Sequence, residues 1–307
     1  MATHGKKLWK DGEIADRDRA GTVSVLSHTL HYGSGVFEGI RSYRRARGET
    51  IVFRLHEHVA RLFDSARLLR LSPRVTREDV ERGCLAVVRE NEMSDAYLRP
   101  LMMRGEGEMG LVPQTSAVET YVMGWSFDAG DRERLLRDGL RCKVSSFARG
   151  PVGTALVRGK ITGHYVTSTL ALEEAKLAGY DEALLLDVQG HVSEGSGANV
   201  FLVKNDRLST PPLSSAILAG ITRDTVLELA REEGLIVREE PLTRDAFYLA
   251  DEVFLTGTAI EVMPVREIDD RTIGGGNPGE ITKILQERYF DIVRGKDDSH
   301  PEWLTQV

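Results

Sequence analysis

VRGKITGHYVTSTLALEEAKLAG, residues 157–179, holds the change of pattern from which the rest of the chain can be read. Up to Lys160 the residues are irregular and contain glycine. From Thr167 onward the run TSTLALEEAKLAG has the spacing of an amphipathic helix, so Lys160 stands near a junction with a helix. Lysine is rarely buried unless its charge is handled, and a lysine at such a junction is most often solvated. The junction alone therefore gives Lys160 no role, and the decision passes to the segments on either side.

On the N-terminal side, the first 45 residues read as short extended segments. KLWKDGEIA carries a turn at Asp11-Gly12, and TVSVLSHTLHYGSGVFEGIRSYR has alternating apolar positions broken by glycines. LHEHVARLFDSARLLRL follows as a helix with a stripe of Val59, Leu62, Phe63, Ala66 and Leu69. Thr76 with Asp79 makes a capping-box-like start for a helix running toward Asn91, and AYLRPLMMRG and VETYVMGW read as strands. The polar, glycine-flanked FDAGDRERLLRDG marks a domain boundary. The expected division is 1–125, a small N-terminal domain, 126–138, an interdomain loop, and 139–307, a large domain that carries Lys160.

On the C-terminal side strands alternate with helices. Residues 182–212 suggest three strands, with turn signals at Gln189-Gly190 and Asn205-Asp206. GITRDTVLELAREEGL is an amphipathic helix entered through a glycine, and EVFLTGTAIEVMPV is two strands around a tight GTA turn. The GGG of Gly274, Gly275 and Gly276 does not lead from a strand into a helix as a dinucleotide fingerprint does, so it reads as a surface loop before the last helix. PEWLTQV at the end is a short tail with no evident role.

The 307 residues suit two domains, and a formal charge of -7 argues against nucleic acid, which requires a basic face. With 41% hydrophobic and 28% charged residues the composition is that of an ordinary soluble protein. No apolar run reaches the roughly 20 residues of a membrane span, and MATHGKKLWKDGE lacks the apolar stretch of a signal peptide, so a cytoplasmic location is expected. Cys84 and Cys142 read as core thiols. His28 with His31 and His56 with His58 lack carboxylate or cysteine partners at recognised spacing, so no metal is expected. Two anion signals are weak taken singly: the helix start at Gly220, Ile221 and Thr222, and the small-residue turn Gly257, Thr258, Ala259.

The order in which these pieces occur carries more than any one of them. SHTLHYGSGVFEGIR, EHVARLFDSARLL, AYLRP, KITGHY, GYDEALLLD, VSEGSGANVFLV, TPPLSSAILAGITRD and YLADEVFLTGTAIEVMPV follow one another as they do in class IV pyridoxal-phosphate aminotransferases. From about Trp9 to Thr305 the chain resembles the branched-chain amino-acid aminotransferases, and AYLRP and the GTA turn resemble that group more than its D-amino-acid, aminodeoxychorismate-lyase or amine-converting relatives. The resemblance implies an α+β, two-domain, fold-type IV architecture: a smaller N-terminal α/β domain, a larger domain with a β-barrel-like core, and pyridoxal 5′-phosphate between them. It implies a homo-oligomer, a dimer at least or a hexamer, acting on small amino acids and 2-oxo acids, with no nucleic acid and no membrane.

It also implies roles. Lys160 is similar to the family's Schiff-base lysine, Glu194 to the carboxylate facing the pyridine nitrogen, and Tyr165 to the partner of the ring's phenolic oxygen. Arg61, Ile221, Thr222 and Thr258 resemble the phosphate ligands. Tyr97, Thr258 and Ala259 would meet the substrate α-carboxylate, Arg99 the distal carboxylate, and Phe37 and Trp125 the aliphatic side chain. Tyr32, Met109 and Leu111 would reach in from a neighbouring subunit. The chain departs from the family pattern at Ala155-Leu156-Val157-Arg158-Gly159, where Ile-Pro and small residues are common, at His164 in place of asparagine, and at Phe127 and Asp128 in place of a tyrosine. Rival readings are a D-amino-acid or (R)-amine aminotransferase of the same fold and, more distantly, a cofactor-free binding protein.

Overall fold

Asp11 (φ 47°) and Gly12 (φ 112°) turn the chain between β1 (Lys7–Lys10) and β2 (Glu13–Asp16), a two-residue hairpin whose positive φ values Asp-Gly accepts at little cost. The computed structural model describes residues 4–112, 115–127, 132–153 and 156–307. It falls into two units: Met1–Asp128 with Gly159–His164 and Ile292–Val307, and Ala129–Arg158 with Tyr165–Asp291.

The early part of the first unit is less extended than its sequence suggests. Two short helices form there, α1 (Arg17–Ala20) and α2 (His28–Tyr32), the second ended by Gly33 in the left-handed conformation. Then come β3 (Val36–Phe37), β4 (Ile40–Arg44), β5 (Thr50–Phe53), α3 (Leu55–Leu68), α4 (Arg77–Glu90), β6 (Ala96–Arg104) and β7 (Val118–Ser126). The Thr76–Asp79 capping box is present, with the Asp79 N–H donating to Thr76 Oγ1 at 3.2 Å and the Thr76 N–H to Asp79 Oδ2 at 2.8 Å. The sheet is antiparallel throughout, in the order C-terminal strand (Leu304–Gln306), β5, β4, β6, β7, β1, β2, with β3 beside β6. Val59, Leu62 and Ala66 of α3 and Val80, Cys84 and Val87 of α4 share one core with Ile40, Val52, Leu98 and Val122 of the sheet.

The second unit contains α5 (Arg132–Asp138), β8 (Leu140–Ala148), α6 (Tyr165–Leu177), β9 (Glu182–Leu186), β10 (Val192–Gly195), β11 (Asn199–Lys204), β12 (Arg207–Thr210), α7 (Ile221–Glu232), β13 (Ile236–Glu239), α8 (Arg244–Tyr248), β14 (Glu252–Gly257), β15 (Glu261–Ile268) and β16 (Arg271–Thr272). Its sheet runs β10, β9, β8, β15, β14, β11, β12, β13, with β16 beside β15. The pairs β8–β9, β8–β15 and β12–β13 are parallel and the others antiparallel. Four strands, not the expected three, fill residues 182–212, because VSEGSGANVFLV leaves the strand at Ser196, Gly197 and Ala198. The triple glycine lies in the loop before α9 (Glu280–Arg294), as expected.

The α+β class expected from the sequence is borne out. The unit limits, however, depart from the sequence-based domains at three segments. The expected interdomain loop 126–138 is divided between the units after Asp128, and its end, Arg132–Asp138, is the helix α5 of the second unit. Residues 159–164 join the first unit because Ile161 bridges Val36 and Thr162 bonds Gly33 and Gly35. Residues 292–307 do so because the C-terminal strand extends the sheet through β5 and buries Trp303, which gives the tail its role. Among the described residues no helix is long and apolar enough to cross a membrane.

Candidate active site

In the first unit, the segment that bears Lys160 is fixed by its backbone. The Lys160 N–H donates to Ser65 Oγ at 3.0 Å, and its carbonyl accepts from the Phe37 N–H at 3.1 Å. Thr162 Oγ1 donates to the Gly33 carbonyl at 2.8 Å, and the Gly163 N–H reaches the same carbonyl at 3.1 Å. A Cβ on Gly33 would come within 2.8 Å of Gly163 Cα, so this approach requires glycine. With both neighbours pinned, the half-buried Lys160 side chain places Nζ 5.1 Å from the centre of the Phe37 ring. Lys160 is therefore not the freely solvated lysine of a loop end.

Beside it stands a buried polar cluster on one face of α3. Glu38 is fully buried; its Oε1 accepts from Arg61 Nε at 2.7 Å and its Oε2 from Arg61 Nη2 at 2.8 Å. His58 Nδ1 lies 2.8 Å from the same Oε2. Burial alone would raise the Glu38 carboxyl, but the Arg61 charge and the hydrogen bonds from His58 and Arg61 hold it well below the usual carboxylate range. Burial pushes the His58 imidazole down, so it is neutral and Nδ1 carries the proton given to Glu38.

Four candidate residues meet in the β3–β6–β7 region. Tyr97 on β6 is paired with Trp125 on β7, and their rings stack 5.0 Å apart. The Arg99 guanidinium lies 4.6 Å from the Phe37 ring, 5.5 Å from Tyr97 and 5.6 Å from Trp125. Arg99 Nε is buried without a hydrogen-bond partner. Tyr32, Met109 and Leu111 are exposed. Phe127 stacks on Tyr97, while Asp128 and Ala155 lie outside the described residues.

In the second unit, Glu194 of β10 is 3% exposed. Its Oε1 is paired with Arg149, and its Oε2 accepts from Asn199 Nδ2 and from the Leu218 N–H, each at 3.1 Å. The Asn199 amide also donates to the Leu218 carbonyl at 2.9 Å, so one side chain braces both the carboxylate and the chain leading to α7. Gly220 is the N-cap of α7 and supplies no side-chain cap; Ile221 and Thr222, the first residues of the helix, are buried. Thr258 and Ala259 occupy the turn between β14 and β15, and just before it Thr256 Oγ1 is buried without a partner. Tyr165 opens α6 and is half-buried. Arg158 is exposed, and the His164 N–H donates to the Ile161 carbonyl at 3.1 Å.

Sequence reasoning missed Glu38, His58, Ser65, Arg149 and Asn199. His58, Arg61 and Ser65 are three and four residues apart, which puts them on one side of α3, and that spacing was the available signal. Arg149 is a lone arginine after a strand and gives none.

A family model described as amino-transferase class IV matches residues 35–268. A branched-chain-amino-acid aminotransferase of Pseudomonas aeruginosa is 45% identical over 100% of this chain and 99% of its own, and one of Escherichia coli is 40% identical over 98% and 97%. Among solved structures, the branched-chain amino acid aminotransferase of Thermobaculum terrenum in its PLP-bound holo form superposes with a TM-score of 0.92 at 36% identity, covering 99% of this chain and 98% of its own.

Proposed function

The chain belongs to the class IV aminotransferases, and we propose that it is a branched-chain-amino-acid aminotransferase that uses pyridoxal 5′-phosphate and exchanges amino groups between leucine, isoleucine or valine and 2-oxoglutarate. The residues present fit that cofactor. A half-buried amine suits an aldehyde, a buried carboxylate suits a pyridinium, and an uncapped helix start together with the unpartnered Thr256 hydroxyl suits a phosphate. When bound, the cofactor supplies the electron sink for the substrate's α-carbon electrons.

The protein's own part is to hold, aim and move protons. Lys160 Nζ would provide the covalent anchor and, once displaced by the substrate amine, would serve as the base that takes the proton from the substrate Cα and then as the acid that gives it back. Glu194, braced by Arg149 and Asn199, accepts a hydrogen bond from the ring N–H and keeps that nitrogen protonated. Tyr165 donates to the ring's phenolic oxygen. Arg61, the N–H groups of Ile221 and Thr222 and the Thr258 hydroxyl would hold the phosphate. Tyr97 and the backbone at Thr258 and Ala259 take the substrate α-carboxylate, while Phe37 and Trp125 keep water from the aliphatic side chain. A second copy of the chain offering Tyr32, Met109 and Leu111, which are exposed here, and a cytoplasmic location complete the reading.

One observation carries the substrate assignment. Arg99 lies among the rings of Phe37, Tyr97 and Trp125 with its Nε unpartnered, so the same walls offer apolar surface to leucine and a charge to glutamate. The test separates the two half-reactions. In single turnover the enzyme should convert with L-leucine and L-glutamate, and not with D-alanine or (R)-1-phenylethylamine. Arg99→Met should lower the specificity constant for glutamate about 30- to several-thousand-fold, the loss expected when one side of a buried charged pair is truncated, and leave that for leucine within about tenfold. Equal losses would show that Arg99 supports the fold of the site and does not read the second substrate.

A further inference from the structure

Glu38 takes no part in the chemistry described above, yet its charge is the most completely buried of those around Lys160. Its two oxygens are spent within the protein: Oε1 on Arg61 Nε, and Oε2 on Arg61 Nη2, His58 Nδ1 and, more distantly, the Gly39 N–H at 3.3 Å. A buried ion pair is a poor device for stability, since well-packed apolar residues in its place are often neutral or better. Its value lies in geometry. A guanidinium bound through Nε and one Nη has its plane fixed, which a single contact cannot do. The neutral His58 adds a third fixed donor without adding charge, so Arg61 is the only cation that Glu38 contacts among its hydrogen-bond partners.

The setting favours a role at the site over a role in the core. His58, Arg61 and Ser65 line one side of α3; the first two hold Glu38, and the third holds the Lys160 N–H. The Lys160 charge is among the influences that lower the His58 imidazole, which places the cluster within the field of the reacting amine.

We infer that Glu38 is a positioning residue for phosphate binding: it locks the Arg61 guanidinium in one plane, so that this cation is held toward the cofactor's phosphate in a fixed direction. This rests on the reading of Arg61 as a phosphate ligand. The interaction is with the phosphate alone, and so its loss falls on phosphorylated ligands and spares the unphosphorylated ring.

The experiment is equilibrium dialysis of the full-length enzyme with pyridoxamine 5′-phosphate and with pyridoxamine, neither of which needs the covalent link to Lys160. Glu38→Gln removes the charge. Glu38→Asp keeps it but withdraws the carboxylate by one methylene, and serves if the first variant does not fold. Either should weaken pyridoxamine 5′-phosphate about ten- to a hundredfold, the range of charge-assisted hydrogen bonds, and change pyridoxamine by less than about threefold, with Arg61→Met in the same background adding little. Equal weakening of both ligands, or unchanged binding of the phosphorylated one, overturns the inference. Arg61→Met alone is the control for its premise: if that variant keeps full affinity for pyridoxamine 5′-phosphate, the phosphate-ligand reading of Arg61 fails first, and Glu38 is not at issue.

Discussion

Glu38 in the first unit and Glu194 in the second are both buried carboxylates paired with an arginine, and the two pairs run in opposite senses. Glu38 is closed off, bound twice by Arg61 and once by His58, so the group left to act is the arginine. In the function proposed above the acting group at Glu194 is the carboxylate, and Arg149, Asn199 and the Leu218 N–H are its supports. On that proposal the same kind of ion pair serves to aim a cation in one unit and an anion in the other. A buried pair does not reveal by itself which partner works; what else each partner touches does.

The largest effect is expected at Lys160, on which the proposed chemistry turns. Lys160→Ala removes the covalent anchor and the proton carrier together, and turnover should fall below about 1% of wild type in a steady-state assay with leucine and 2-oxoglutarate. Activity above that level would leave both carboxylates without the role assigned to them. Next comes the support of Glu194. Arg149→Met takes a cation away from a buried carboxylate, and breaking a buried pair from one side costs about 3–5 kcal/mol. Part of this appears as lost thermal stability, and part as a fall in the single-turnover rate of about tenfold or more, since a tenfold change needs only about 1.4 kcal/mol. A normal rate in a destabilised protein would make Arg149 structural and break the parallel with Glu38.

The smallest effect sharpens the other side of the comparison. Burial lowers the His58 imidazole in the folded chain, so on acidification the unfolded chain takes up that proton first, from about pH 6.5 downward. The stability linked to His58 is complete above that pH and is lost as pH falls, with a slope of up to about 1.4 kcal/mol per pH unit. Glu38, also held below its usual range, adds loss in the same direction once the pH passes below about 4.3. Denaturant unfolding at pH 5.5 and 7.5 should show a steeper acid loss for wild type than for His58→Asn. Parallel slopes would mean that the His58 imidazole titrates alike in the folded and unfolded chains, and a shallower acid loss for wild type would mean that it is protonated in the folded protein and that its bond to Glu38 is ionic.

Much of this was legible before any coordinates. The helical stripe of α3, the capping box of α4, the Asp11-Gly12 hairpin and the GTA turn each depend on neighbours within a few residues, and periodicity and turn chemistry report that directly. The short helix at His28–Tyr32 was hidden because five residues hold little more than one turn of helical period. The C-terminal strand escaped because its pairing with β5 joins residues some 250 positions apart in the chain. The candidate site divides in the same way. Lys160 and Glu194 were singled out by the family resemblance of their segments, whereas the contacts of Glu38 and Arg149 are with partners 23 and 45 residues away, found only when the chain is folded.

All of these assignments depend on which amine carries the cofactor. Borohydride reduction of the yellow, cofactor-loaded enzyme followed by peptide mass mapping tests that without reference to rates. The expected product is one phosphopyridoxyl group per chain on Lys160, absent when the enzyme has first been converted with L-leucine. A label on another lysine, or none at all, would contradict the account.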